Sequence, residues 1–286
     1  MSDAPDHDRF SETAQAFARL AVAVDHMLAS DLSDLASAEV VMWHTWDEPL
    51  TDPRFVLARA VMRRTFYGSA IRGFAEAAAA VAGRHMTRRA SIVSARSVLE
   101  CAAEMHWLYR PDLDPVDRLN RTLTFYLAEE HEDDRLLGSF GAARESHSRG
   151  LTAEACRNAG IEVQRGRRGA YVGTEKPSNS TLVAQVMESA GVSAKIALYQ
   201  QLSRLAHAGD YLTESGSLRG SNPDEWTNDT MGHLTAGLPT SLMELVGRGL
   251  TEAARSAALY LGQDWLPTLA TYAALRVAAG LDEAQR

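Results

Sequence analysis

Cysteine and lysine are nearly missing from this chain, with two of each in 286 residues. Two cysteines, Cys101 and Cys156, exclude a disulfide scaffold and a zinc site built from cysteine alone. Arginine stands where lysine is scarce, 27 against two, a bias that points to a GC-rich bacterial genome. No apolar run reaches the roughly 18 residues that a membrane-spanning helix needs, so no membrane segment is expected. The stretch Met1–Arg9 is acidic and has no apolar centre, so no secretory leader is expected and the expected address is the cytoplasm. Also missing are a His-Glu-x-x-His pair, a Walker loop, a glycine-rich dinucleotide fingerprint, a Gly-x-Ser-x-Gly elbow and the Glu-x-x-His pairs of di-iron bundles. Neither a cofactor nor a metal is expected on that account.

What is present is alanine, 46 residues of it, in a chain that is 45% hydrophobic and 23% charged. That composition belongs to an ordered globular protein. Its net charge of −8 is unevenly laid out. Residues 1–52 hold 11 acids and two bases, whereas 54–110 hold ten arginines against Glu76, Glu100 and Glu104. Residues 111–143 are acidic, 144–176 basic and 177–286 acidic again. Such blocks fit acidic and basic helices packed side by side, or an anion-binding surface on 54–110.

Apolar residues recur at helical spacing in nearly every window. Residues 10–29 place Phe10, Ala14, Phe17, Leu20, Ala21, Val24 and Leu28 on one face, with Ser11 in position to cap. A long helix follows over 54–83, where Gly68 and Gly73 allow close packing or a slight bend. Helix 87–109 is apolar on most sides and belongs at the centre of the molecule. Further helices are predicted at 116–137, 152–159, 181–190, 194–208, 236–262 and 264–280. Gly191 splits two of them, and Pro239 marks a first turn or a kink. A polar loop is predicted over 213–232. Residues 161–180, rich in glycine and serine, read as a hairpin, a lid or a disordered loop. The expected fold is all-α: one domain, 1–286, of about eight to ten mostly antiparallel helices with an insertion at 161–180.

Two helix faces could carry chemistry. Arg96, Glu100 and Glu104 lie at i, i+4 and i+8 on the central helix, so they share a face. Charges on an apolar helix are costly unless paired, which predicts that Arg96 and Glu100 are buried and bonded to each other or line a polar cavity. Tyr199, Ser203 and His207 repeat the spacing on helix 194–208, with Arg204 beside His207 and Asp210 three residues beyond it. A histidine with a neighbouring carboxylate and arginine suits acid–base chemistry on an anion, or caps a helix end. The run Glu129-Glu130-His131-Glu132-Asp133-Asp134 points all round a helix and reads as a solvated acidic turn rather than a metal site. Gly166-Arg167-Arg168-Gly169 reads as a solvated basic loop or a phosphate-touching one. Trp43-His44-Thr45-Trp46 and Met105-His106-Trp107-Leu108-Tyr109 are core, interface or pocket material.

Two segments carry a family likeness: Ser94-Ala95-Arg96-Ser97-Val98-Leu99-Glu100-Cys101-Ala102-Ala103-Glu104 and Tyr199-Gln200-Gln201-Leu202-Ser203-Arg204-Leu205-Ala206-His207. Together they resemble a group of all-helical bacterial proteins that is in turn similar to the HEPN superfamily, which includes toxin and phage-defence ribonucleases. Two residues separate Arg204 from His207, where that superfamily has four to six. The resemblance implies a metal-independent endoribonuclease acting in defence or stress, its site formed across a homodimer. His207 would then handle protons at the 2′-hydroxyl or the leaving oxygen, and Arg204 would steady the phosphate. The catalytic candidates are His207, Arg204 and Glu100. Arg96, Glu104, Tyr199, Ser203, Trp43 and Trp107 are substrate-binding candidates for RNA or an anionic small molecule. Two rivals stand beside this reading. One is a biosynthetic lyase, cyclase or hydrolase whose pocket is lined by Trp43, Trp46, Glu100, Glu104, Trp107 and His207. The other is a non-catalytic ligand-binding or interaction module.

Overall fold

A computed structural model of the chain describes residues 4–29, 53–82, 88–139, 151–158, 160–167, 169–192, 199–200, 202–203 and 228–281. Helix accounts for 79% of these, and the only sheet among them is a two-stranded hairpin, so the fold is all-α as expected. The helices are α1 (Ala4–Ala29), α2 (Pro53–Ala82), α3 (Arg88–Leu108), α4 (Pro115–Ser139), α5 (Leu151–Asn158), α6 (Asn179–Ser189), α7 (Asn228–Leu261) and α8 (Leu266–Ala278). Strands β1 (Gln164–Gly166) and β2 (Gly169–Tyr171) lie between α5 and α6. Tyr199, Gln200, Leu202 and Ser203 are helical as well. The chain's contacts resolve two compact units. The larger comprises Met1–Ser30, Thr65–Trp107 and Asn179–Arg286, and the smaller Asp31–Arg64 and Leu108–Ser178.

In the larger unit all seven stripe residues of α1, Phe10 through Leu28, are fully buried. Each such leucine, valine or phenylalanine contributes roughly 1.5–3 kcal/mol by leaving water. They pack on α7 and α8. Glycine makes that approach close: a Cβ on Gly247 of α7 would collide with Leu275 of α8 and touch Leu20 of α1 at 3.5 Å. Two residues on, a Cβ on Gly249 would lie 2.9 Å from Leu99 of α3 and 2.8 Å from the Met187 sulfur of α6. α7 thus meets neighbours on two sides where it has no side chain. Gly68 behaves likewise, since a Cβ there would lie 2.5 Å from Asp25 Oδ1, whereas Gly73 has nothing within 4 Å. α2 is tied to α3 by Ser91 Oγ, which donates to the Ala78 carbonyl at 2.8 Å.

Two helix starts change. α1 begins at Ala4, so Ser11 lies inside the helix and does not cap it. Segments 4–9 are too polar to extend the apolar stripe, which is why the periodicity started late. α7 begins at Asn228, not 236, so residues 228–232 are helical rather than loop and Pro239 sits well inside the helix. Residues 228–235 hold only Met231 and Leu234 as large apolar groups, too few for a periodic signal. Gly191 does end a helix: its φ of 73° lets the Val192 N–H reach back to the Met187 carbonyl at 2.8 Å.

The smaller unit is built on α4. Asp114 caps it by accepting from the Asp117 N–H at 2.8 Å, with Pro115 at its first position. Leu119, Leu123 and Leu127 form its buried stripe and pack with Cys156 of α5 and Val172 just after β2. The 161–180 excursion is a hairpin in which Arg165 pairs with Ala170 and Gly166 with Gly169. Thr124 of α4 bolts it down: the hydroxyl accepts from the Val172 N–H at 2.9 Å and donates to the Val172 carbonyl at 3.0 Å. Lys176 adds a cation 4.3 Å from the Phe125 ring centre.

Candidate functional site

Arg96, Glu100 and Glu104 form one row on α3, and the structure gives each a bonded partner. Arg96 Nη2 lies 2.9 Å from Glu100 Oε1, and Arg96 Nε donates to the same oxygen at 3.1 Å. Tyr199 closes the set. Its hydroxyl donates to Glu100 Oε1 at 2.9 Å and accepts from Arg96 Nη2 at 3.2 Å. The Arg96 guanidinium also sits 5.2 Å from the Tyr199 ring centre, within cation–π range. One turn further, Glu104 accepts from the Tyr67 hydroxyl of α2 at 3.2 Å.

The pairing of Arg96 with Glu100 is as expected, but their side chains are 17% and 26% exposed rather than fully buried. One edge of the row therefore reaches solvent. Burial raises the Tyr199 hydroxyl above its ordinary value, the Arg96 bond opposes this and the Glu100 bond adds to it. Tyr199 is thus a neutral phenol at physiological pH and can donate to Glu100. Cys101, beside Glu100 on α3, is pushed up to about 12 by burial and then by Glu104 and Glu100, so it is a poor nucleophile.

Arg96, Glu100 and Tyr199 are therefore brought together, with Glu104 one turn along α3 and Ser203 one turn beyond Tyr199. Trp107 is only 2% exposed, which puts it in the core of its unit. Trp43, Trp46, Arg204, His207 and Asp210 lie outside the described residues. In the acidic run, Glu130 Oε1 accepts from the N–H and hydroxyl of Thr152, at 3.0 and 2.5 Å, and so caps α5 from α4. Among the described residues no three His, Cys, Asp or Glu side chains converge as a metal would need. None of the described helices is long and apolar enough to cross a membrane.

Sequence reasoning missed Tyr67 as the partner of Glu104. It also missed the setting of His106, which is buried with Nδ1 2.9 Å from Ser256 Oγ and Nε2 3.4 Å from Ser189 Oγ. Both contacts link residues far apart in the chain, and no local pattern announces them. Arg96 retains a further chemical capacity. Its Nε and Nη2 are committed, while Nη1 makes no bond among the described residues and is available to an anion. No family model, curated protein or solved structure matches the chain.

Proposed function

We propose that the protein is a HEPN-like, metal-independent endoribonuclease of the bacterial cytoplasm that works as a homodimer. One observation carries the reading: Tyr199 is fastened to Arg96 and Glu100 at the start of the segment that runs on through Ser203 to Arg204 and His207. A catalytic segment needs such an anchor, because general acid–base work depends on a group held within hydrogen-bond reach of the proton it moves. Arg96, Glu100 and Tyr199 are then positioning residues. His207 takes the proton from the 2′-hydroxyl as that oxygen attacks phosphorus. The P–O2′ bond forms, the P–O5′ bond breaks, and a proton is delivered to the departing 5′ oxygen. The products are a 2′,3′-cyclic phosphate and a 5′-hydroxyl. Arg204 steadies the charge on the phosphate oxygens, and the Arg96 Nη1 edge is a second place for a phosphate to rest.

The test is RNA cleavage in the presence of a chelator, with the product ends identified. Wild-type protein is expected to leave 2′,3′-cyclic phosphate ends. His207→Ala should lose on the order of 100-fold or more in rate, as for a missing general acid–base group, with an unchanged thermal midpoint. Wild-type protein that cuts no single-stranded RNA, or a His207→Ala variant that cuts at the wild-type rate, would overturn the reading.

A further inference from the structure

We infer that the outer face of α8 is the seam of a symmetric homodimer, in which α8 of one copy crosses α8 of the other antiparallel at Ala273. The inference rests on the homodimer of the ribonuclease reading and names where its copies meet. A helix on the outside of a globular protein turns polar residues to water. α1 does so, exposing Asp8, Arg9, Glu12, Gln15, Arg19 and His26. α8 does the reverse. Only Thr268 and Leu275 of its 13 residues are buried, and every exposed one is apolar, from Leu266 and Pro267 at its start to Val277 near its end. Leu266, Ala270, Ala273 and Val277 recur at i, i+4, i+7 and i+11, which sets them in one line along the helix. The large members are far from covered: Leu266 is 62% exposed, Val277 63%, Leu269 39% and Leu281, just past the helix, 38%. α2 shows Phe66 and Phe74, but Thr65, Ser69, Arg72 and Glu76 are exposed among them, so that face is mixed.

The size and charge of this face fit a second copy of the chain. Its exposed side chains amount to on the order of 500 Å² of apolar surface, near the top of what a lone monomer shows. Two copies together therefore offer on the order of 1,000 Å², the size at which specific interfaces begin. Residues 265–281 carry one charge, Arg276, which is half-buried and close to Tyr272. A chain of net charge −8 meets its copy at least electrostatic cost across such a neutral strip. A helix that lies on anionic lipid carries lysine or arginine along its flanks, and an RNA site needs them too. Here Asp264, Asp282 and Glu283 bound the strip instead. Side-chain size along the strip is symmetric from end to end: leucines at 266 and 269, alanines at 270, 273 and 274, then Val277 and Leu281. Two helices packed at an angle lie closest where they cross and part toward their ends. Alanines at the crossing let the axes approach, and the larger residues at both ends fill the widening gap. A two-fold axis through Ala273 sets Leu269 of one copy near Val277 of the other, and the reverse, as a self-complementary interface requires. The antiparallel setting also places the positive end of each helix by the negative end of the other.

The experiment measures the mass of the full chain by sedimentation velocity over a concentration series. Wild-type protein should pass from monomer to dimer between about 1 and 100 µM, as suits an interface at the small end of the range. Ala273→Glu sets two carboxylates against each other at the two-fold axis and should weaken association about 100-fold or more. Ala273 is exposed, so the thermal midpoint of that variant should not move. Ala273→Cys should link two copies under mild oxidation and Leu266→Cys should not, because a disulfide needs Cα atoms within about 7 Å. Linking at 266 as fast as at 273 would overturn the antiparallel pairing. An Ala273→Glu variant that dimerises like wild type would overturn the inference and leave the ribonuclease reading, with its homodimer, standing. A lowered midpoint for that variant would show that the chain itself covers the face, and would overturn the inference as well. Wild-type protein that stays monomeric throughout would overturn both the inference and that homodimer, and capture of the monomer by phosphatidylglycerol vesicles would assign the face to lipid.

Discussion

Replacing Glu100 by alanine leaves Arg96 with only the Tyr199 hydroxyl and whatever water reaches it. Two limits bracket the cost. Breaking a fully buried pair destabilises by about 3–5 kcal/mol because an uncompensated charge stays behind. Losing an exposed pair costs about 0.2–1 kcal/mol. Side chains that are 17% and 26% exposed fall between these limits, and solvent at the open edge rehydrates part of the guanidinium. The expected cost is about 2 kcal/mol, which lowers the thermal midpoint of a protein of this size by roughly 4–8 °C. Tyr199→Phe removes the hydroxyl and keeps the ring against Arg96, so it should cost about 1 kcal/mol. All three groups meet at one carboxylate oxygen, Glu100 Oε1, or at its immediate neighbour. The two substitutions should therefore be non-additive, the double variant falling short of the sum by about 0.5 kcal/mol or more. Urea unfolding followed by far-ultraviolet circular dichroism reads all three variants. A Glu100→Ala variant within about 0.5 kcal/mol of wild type, or strict additivity, would refute the coupled network.

Two further outcomes follow from groups outside that network. Thr124→Val keeps the shape of the side chain and strands the buried Val172 N–H and carbonyl, so the smaller unit should lose about 2–4 kcal/mol. Amide exchange at Val172 should speed up accordingly, and unchanged protection there would refute the anchor. Burial, reinforced by neighbouring carboxylates, raises Cys101 to about 12 and Cys156 to about 11 from 9.0, so the fold favours both thiols in neutral form. That stabilisation is complete below about pH 9 and is lost as pH rises toward 11 and 12, so unfolding free energy should fall across that window. A Cys101→Ala/Cys156→Ala variant should show a shallower alkaline fall, and an identical fall in both proteins would remove the thiols as its cause.

The parts of the fold that are legible in the sequence are those that depend on neighbours within a few turns. The α1 stripe is one, because burial of a single helix face imposes its period on Phe10, Ala14, Phe17, Leu20, Ala21, Val24 and Leu28. The i, i+4 pairing of Arg96 with Glu100 is another. What stays hidden is the identity of distant partners. Nothing local to Glu130 says that it caps α5, since it looks like one acid among several in 129–134. Nothing near Thr124 says that it bonds a hairpin 48 residues on. Tyr199 stands between these cases: its face was legible from Ser203 and His207, whereas its bond to Arg96 was visible only in the fold.

Thr13 of α1 donates to the Ala278 carbonyl of α8, a partner 265 residues away. During synthesis the apolar face of α1 is therefore made first and covered last. At about 5–20 residues per second, α7 and α8 emerge roughly 10–50 s after α1. The smaller unit has no such wait, because Leu119, Cys156 and Val172 leave the ribosome in quick succession. For most of the chain's birth, then, seven buried-to-be residues from Phe10 to Leu28 wait without the α7 and α8 surfaces they pack on. They are the surface that a nascent-chain chaperone would grip, or that a second unfinished chain would stick to. The yield of folded protein in a cell accordingly depends on what shields a helix at one end of the chain until the other end arrives.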